Sequence, residues 1–219
     1  MSHRWFAVCI SICTLLAVAA AQLENAVGDE LVIYPPPPGE LACEDYSVTV
    51  NGQPVFVYRA TVNRSAAAHG IEPETVGFAT FDFSGEAQIA VTAGKDLQSV
   101  DVRPRSLAIT PALQDRVARF TITRPCKLCL ESNGSDRHPL FLFANALESY
   151  PGGIPQPGQE MVRYFAPGVH EAGAICPQSG ETIYLAGGSL VYGKIAAAGV
   201  QNVRILGRGI LDGSKWKQW

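Results

Sequence analysis

The sequence is poor in charged residues and, after its first 21 residues, has no long apolar run and almost no helical periodicity. Charged residues make up 17% of the 219 residues, against about 25% in an average globular protein, and the formal net charge is -3. Nucleic acids and anionic lipids attract proteins through concentrated Lys and Arg, and the sequence has no such cluster. We therefore expect no nucleic-acid partner, and small molecules, neutral glycans and proteins remain as candidates.

The first residues have the features of a secretory signal peptide. His3 and Arg4 precede an apolar run that begins at Trp5, and residues 19–21 are the small alanines after which signal peptidase cleaves. The run is shorter than the roughly 20 residues of a membrane-spanning helix, and no second such run follows. We expect residues 1–21 to be removed and the mature chain to be secreted or periplasmic, without a membrane partner.

Two of the six cysteines lie in the signal peptide, and four remain: Cys43, Cys126, Cys129 and Cys176. In an exported protein they predict disulfides, with three possible pairings. Cys126 and Cys129 have the spacing of a redox or zinc pair, but no second CxxC or His pair completes a metal site. They also fall in a predicted strand, in which residues three apart point to opposite faces. We therefore predict no metal and no cofactor.

Between residues 40 and 146 the sequence alternates apolar and polar residues in short runs separated by turn residues. Asn51-Gly52 and Ser84-Gly85 are typical turn pairs. The pattern predicts an all-β fold with a β-sandwich. Strands are expected at residues 47–50, 55–62, 76–83, 87–92, 100–103, 107–110, 117–123, 127–131 and 139–143.

Proline and glycine mark the boundaries of the predicted domains. Residues 35–38 are all proline and predict a stiff spacer, and residues 151–158 combine Pro and Gly as linkers do. The predicted organisation is a signal peptide (1–21), a Pro-rich N-terminal segment (22–39), a β-sandwich (40–146), a linker (147–160) and a solenoid (161–219).

The solenoid is predicted from a repeat of 20 residues. Phe165, Leu185 and Ile205 fall in register, and three sets accompany them: Tyr164, Tyr184 and Arg204; Pro167, Gly187 and Gly207; and Gly173, Gly193 and Gly213. Ile183 also aligns with Val203, and Val191 with Leu211. Gly and Pro interrupt every dozen residues and the Leu ladder of leucine-rich repeats is missing, so the repeats are expected to be all-β coils. Alternation places Phe165, Ile183, Leu185, Val203 and Ile205 inward, and Tyr164, Tyr184 and Arg204 outward.

Several of these segments resemble known enzymes. Residues 164–170, 179–188 and 207–213 resemble the first coils of polygalacturonase-like glycoside hydrolases (family 28) and of the dextranase and isopullulanase group (family 49). Residues 124–128 and 139–145 are similar to the end of the β-sandwich that precedes the helix in such enzymes. The resemblance runs from about Ser99 to Trp219. It implies a right-handed parallel β-helix after the sandwich, and a polysaccharide as substrate.

The same resemblance implies that the catalytic residues are missing from this sequence. Family 28 enzymes carry Asn-Thr-Asp, Asp-Asp, Gly-His-Gly and Arg-Ile-Lys motifs, and none of them occurs here. Hydrolysis of a glycosidic bond needs two carboxyl groups that converge on the bond. We therefore assign no catalytic residue and expect this chain alone to be inactive.

Three groups of residues could nevertheless be mistaken for a catalytic site. His170 and Glu171 form an acid-base pair in sequence, but they adjoin the turn at residues 167–168 and are expected to lie at a coil edge. Asp212 precedes a glycine and is expected to bond its own backbone in a turn. The third group, Glu131, Asp136 and His138, surrounds the turn at Asn133-Gly134 and is expected at a solvated hairpin tip.

Three functions remain open from the sequence. The first is the N-terminal part of a secreted glycoside hydrolase. The second is a non-catalytic β-sandwich module that binds carbohydrate or protein, and the third is a fragment of a polysaccharide lyase, which would use calcium and a basic residue. Asn63-Arg64-Ser65 and Asn133-Gly134-Ser135 are acceptor sequences for N-glycosylation in a eukaryotic host.

Overall fold

The computed structural model describes residues 30–39, 42–62 and 74–214. Their regular structure consists of strands and one turn of 3-10 helix at Arg105–Leu107, so the fold is all-β. None of the described residues forms a helix long and apolar enough to cross a membrane. The strands are β1 (Leu31–Ile33), β2 (Tyr46–Val50), β3 (Gln53–Val55), β4 (Tyr58–Val62), β5 (Glu74–Phe83), β6 (Ala87–Ala93), β7 (Val100–Arg103), β8 (Ala112–Gln114), β9 (Val117–Ile122), β10 (Cys126–Ser132), β11 (Leu140–Ala146), β12 (Val162–Phe165), β13 (Gly168–Ile175), β14 (Thr182–Leu185), β15 (Ser189–Ile195), β16 (Arg204–Gly207) and β17 (Ile210–Asp212).

The first eleven strands form two sheets. One has the order β1-β5-β11-β10-β7, with β4 also paired to β5, and the other has the order β3-β2-β6-β9-β8. All pairs are antiparallel except β5 with β11. Alternation sets which side chains face the core: in β5, Ala79, Phe81 and Phe83 are buried inward, so Phe78, Thr80 and Asp82 face the other way.

One apolar core contains buried side chains from both sheets. Phe81 and Leu142 come from the first sheet, and Ile89, Val50 and Ile122 come from the second. These residues are 0 to 4% exposed. Burying a side chain of this size stabilises a fold by about 1.5–3 kcal/mol, so the alternation that the sequence displays is also what holds the two sheets together.

Most predicted strands are present, and the differences have local causes. The strand expected at 107–110 is wrong, because Arg105–Leu107 forms a 3-10 turn that ends in a left-handed residue, Ala108. The run at 55–62 is divided into β3 and β4. The Asn51-Gly52 turn is confirmed, with φ of 48° and 76° at its two residues, as hairpin turns of mirror-image type require. The short strands β1 and β8 were not expected.

The last six strands form two parallel three-stranded sheets, β12-β14-β16 and β13-β15-β17. We call residues 162–175 coil 1, residues 182–195 coil 2 and residues 204–212 coil 3. In the β12-β14-β16 sheet, coil 1 pairs with coil 2 at the expected step of 20 residues, and Phe165 lies opposite Leu185. In the β13-β15-β17 sheet, coil 2 pairs with coil 3 at a step of 20, and Val191 lies opposite Leu211.

The uninterrupted 20-residue register is wrong in two places. β13 pairs with β15 at a step of 21 residues from Gly168 to Glu171, and a bulge restores the step of 20 at Gly173. The second place is the pairing of β14 with β16. Ile183 lies opposite Ile205, and Leu185 lies opposite Gly207, which is a step of 22 residues. The alignments of Leu185 with Ile205 and of Gly187 with Gly207 are therefore incorrect, and Arg204 lies opposite Thr182. The cause is extra chain length in the loop before β16, because eight residues join β15 to β16 whereas six join β13 to β14.

Burial supports part of the predicted orientation within the coils. Ile183, Leu185 and Val191 are buried together, and Phe165 packs against them. Tyr184 lies outside this cluster as expected, yet it is 3% exposed; its ring stacks on that of Tyr164 and its hydroxyl donates to Glu148. Ile205 is 54% exposed although it lies opposite the buried Ile183, since it belongs to the last coil that the structure describes.

The predicted disulfides are not present. Cys43, Cys126, Cys129 and Cys176 are all free thiols. Cys126 and Cys129 lie in β10 with buried Leu128 and Leu130 between and beside them, so a strand places the two sulfur atoms on opposite faces. The signal peptide (1–21), the acceptor Asn63 and the end of the chain at Trp219 lie outside the described residues.

Candidate functional site

His170, Glu171 and Asp212 lie in the β13-β15-β17 sheet, where Glu171 and Asp212 are each paired with Tyr192 of the strand between them. His170 Nε2 lies 2.7 Å from the carbonyl oxygen of Ala166, and its ring packs edge-on against Phe165. Asp212 Oδ1 accepts a hydrogen bond of 2.7 Å from the backbone N–H of Ser214, which is the contact expected of a turn residue. His170 and Asp212 are therefore used in local structure.

The group near the Asn133-Gly134 turn is also divided. Glu131 forms an ion pair of 2.8 Å with Arg103, on the outer face of the first sheet. The His138 ring nitrogen Nδ1 lies 2.9 Å from the hydroxyl of Thr75. Asn133 itself accepts hydrogen bonds from the backbone of Gln98 and Ser99 and donates one to Asp96, so this turn is tied to the loop before β7.

A buried polar cluster that the sequence did not predict joins the first sheet to the coils. Its centre is Asp82 of β5, whose side chain is 0% exposed. Arg208, from the turn between β16 and β17, donates from Nε to both carboxylate oxygens at 2.7 and 2.9 Å. Tyr34 donates its hydroxyl to Asp82 at 2.9 Å, and Asn145 of β11 donates at 3.1 Å.

Glu148, in the segment after β11, is the second carboxylate of this cluster. It accepts hydrogen bonds from the hydroxyls of Tyr150 at 2.7 Å and Tyr184 at 2.8 Å. Its distance from Arg208 Nη1 is 3.9 Å, and the side chain is 8% exposed. We call Tyr34, Asp82, Asn145, Glu148, Tyr150, Tyr184 and Arg208 the junction cluster.

Burial and charge in the junction cluster keep its hydroxyl groups protonated. Burial, followed by the hydrogen bond to Asp82, raises the pKa of Tyr34 well above its ordinary value. Burial and Glu148 raise the pKa of Tyr184 and of Tyr150 in the same way. Burial acts to lower the pKa of Arg208, but Asp82 outweighs it and the pKa rises. The hydroxyls of Tyr34, Tyr150 and Tyr184 therefore stay neutral hydrogen-bond donors, and Arg208 stays a cation.

The two carboxylates of the junction cluster do not have the geometry of an acid-base pair that could receive a substrate. Their oxygens already accept bonds from Arg208, from Asn145 and from three tyrosines. General acid-base catalysis needs a group within hydrogen-bond reach of the proton that it transfers. The described residues also contain no group of three or more His, Cys, Asp or Glu side chains that could hold a metal ion.

The sequence carried only a weak signal for the cluster. Asp82 stands between Phe81 and Phe83 in a strand, and Arg208 stands between Gly207 and Gly209. From the sequence pattern alone, a charged side chain at either position is predicted to be exposed to solvent. The two residues are 126 positions apart, so only the tertiary fold brings them together.

A cavity of about 510 Å³ lies beside β2 and β3. Its lining is mostly apolar and includes Ile33, Tyr34, Val55 and Phe56, with the hydroxyls of Ser47 and Thr49 as polar groups. Small-molecule sites combine an apolar lining with a few converging polar groups. The described lining offers no charged side chain, so it does not define a reaction.

No protein-family model matches the sequence, and no curated protein matches it. Comparison with solved structures shows a similarity of fold. Seven chains of solved structures match. Dex49A from Penicillium minioluteum matches over 83% of this chain with a TM-score of 0.61 and 18% identity, and this chain spans 48% of the length of that structure.

Proposed function

We propose that the chain is the N-terminal part of a secreted glycoside hydrolase that acts on a polysaccharide. In this proposal residues 40–146 are a β-sandwich and residues 161–219 are the first coils of a right-handed parallel β-helix. Its role is to build and anchor the solenoid on which the catalytic carboxylates of such enzymes lie. Residues 1–21 direct export.

The observation that carries the proposal is the parallel stacking of the three coils. Strands about one repeat apart pair in parallel in two separate sheets, and Ile175, Ile183 and Val191 are enclosed between them. A stack of this kind buries each coil against its neighbours and forms one continuous core. The fold likeness to Dex49A supports the same reading, because that likeness covers both the first sheets and the coils.

The junction cluster supports a scaffolding role for the described residues. Asp82 and Glu148 are held by Arg208 and by tyrosine hydroxyls, which makes them structural groups rather than reactive ones. An enzyme that cleaves polysaccharides works on a long substrate, so its solenoid must stay rigid over several coils. A fixed junction at the start of the solenoid serves that purpose.

The test is to read transcripts from the source beyond the codon for Trp219 and to assay the secreted product on dextran, pullulan and polygalacturonate. A continuing open frame with paired Asp motifs and release of reducing sugar support the proposal. A stop codon in every transcript, together with glycan binding without cleavage, would instead favour the binding module. Cleavage that needs calcium and yields unsaturated ends would favour the lyase.

A further inference from the structure

The segment that follows β1 packs directly on a turn of coil 2. Gly187 leaves open the space that the ring of Tyr34 occupies, because a Cβ atom there would overlap ring carbons. A Cβ atom on Gly188 would lie 2.7 Å from the carbonyl oxygen of Pro35. The 35–38 segment, expected to be a stiff spacer, therefore makes close contact with the coils at its start, Pro35.

This turn is the longest of the three equivalent turns in the coils. Residues 186–188 join β14 to β15, whereas two residues join β12 to β13 and two join β16 to β17. The turn is fixed from the other side by hydrogen bonds with coil 1, from Ala186 N–H to Phe165 and from Gly168 N–H to Gly188. The additional residue therefore gives a rigid slot lined by glycine backbone.

The hydroxyl of the same tyrosine reaches the centre of the junction cluster. Tyr34 donates to Asp82 Oδ2, and Arg208 of the coil 3 turn donates to both oxygens of that carboxylate. One side chain thus contacts coil 2 through its ring, while its hydroxyl shares a buried carboxylate with coil 3. Gly187 and Arg208 lie on successive coils, so the segment bridges both of them to β5.

We propose that Tyr34 and Pro35 act as a strap that docks in the slot formed by Gly187 and Gly188 and makes the coils and the first two sheets unfold as one cooperative unit. The strap and the slot that it occupies both belong to this chain, and the inference holds whether or not the protein is a hydrolase. Loss of the docked strap then destabilises coil 2 and coil 3 together.

The direct test is a double-mutant cycle on the full chain. Gly187→Ala introduces the Cβ atom that collides with Tyr34, and overpacking of this kind lowers the thermal midpoint by about 5 °C for a protein of this size. Tyr34→Ala removes the ring, so adding Gly187→Ala to it should cost less than half as much. Gly213→Ala is the matched control, because its Cβ meets only the Gly193 carbonyl oxygen at 3.8 Å.

An equal cost of Gly187→Ala in both backgrounds, or an equal cost of Gly213→Ala, would overturn the strap. A second measurement applies if Gly187→Ala does not fold. Tyr34→Ala should increase hydrogen exchange at residues 186–190 and at residues 207–209 together, as well as in β1. Faster exchange confined to residues 30–36 would show that the segment is a passive tail.

Discussion

At the scale of single residues, the account depends on Asp82 and Arg208. The Asp82 carboxylate is fully buried and Arg208 is 20% exposed, so removing the cation leaves an uncompensated charge in the interior. We expect Arg208→Met to lower the free energy of unfolding by about 3–5 kcal/mol. Chemical denaturation measures this loss. Arg105→Met is the control, since its pair with Asp101 is exposed and its loss should leave stability unchanged.

The tyrosines give a pH-dependent prediction at the same scale. Burial raises the pKa of Tyr34, Tyr46, Tyr150 and Tyr184 in the folded chain, so the unfolded chain loses these protons first. Stability should be fully present below about pH 10, the pKa of a free tyrosine, and should fall as the pH rises above it. Tyrosinate absorbance should show these four tyrosines ionising late. Tyr184→Phe should reduce the alkaline loss, and an unchanged loss would contradict this assignment.

The cysteines are a residue-scale test of the structure against the sequence. Four free thiols predict that alkylation of the denatured, unreduced protein modifies Cys43, Cys126, Cys129 and Cys176, whereas the disulfide prediction allows two at most. In the native protein the exposed Cys176 should react first. Burial raises the pKa of the other three thiols and lowers their thiolate fraction. Mass spectrometry counts the modified sites, and protection of Cys176 after unfolding would restore the disulfide interpretation.

At the scale of strands and coils, alternation predicted where most strands lie but not how the third coil pairs. Side chains that alternate between core and solvent leave a pattern in the sequence, as Ala79, Phe81 and Phe83 do. The 22-residue step leaves no such pattern, because it comes from the length of the 196–203 loop, which is two residues longer than the loop at 176–181.

Turn glycines provide the element-scale prediction. Gly207 has φ of 113°, and a Cβ atom there would overlap the Leu185 carbonyl, whereas Gly199 has φ of 68° and open space around it. Gly199→Ala should cost about 1–2 kcal/mol from backbone strain alone, and Gly207→Ala should cost more. Denaturant midpoints measure both. Equal losses would show that space at Gly207 is not limiting.

At the scale of the whole molecule, the sequence predicted an all-β chain, and the described residues form an all-β fold that is similar to that of Dex49A. The junction cluster could not be predicted, since its seven members come from six separate segments between Tyr34 and Arg208. The hydrogen bonds of the junction cluster and the packing of Tyr34 against Gly187 join the first sheets to the coils. These long-range contacts produce no periodic pattern in the sequence.

The most direct test of the central claim, that this chain is scaffold rather than catalyst, is a reducing-sugar assay of the purified 219-residue chain on dextran, pullulan and polygalacturonate. Glu171→Gln and Asp212→Asn variants are assayed beside it. The account predicts no release above that of a heat-denatured control for any of the three proteins. Sustained release by the unmodified chain that either substitution abolishes would contradict it, because the catalytic carboxylates would then lie within these coils.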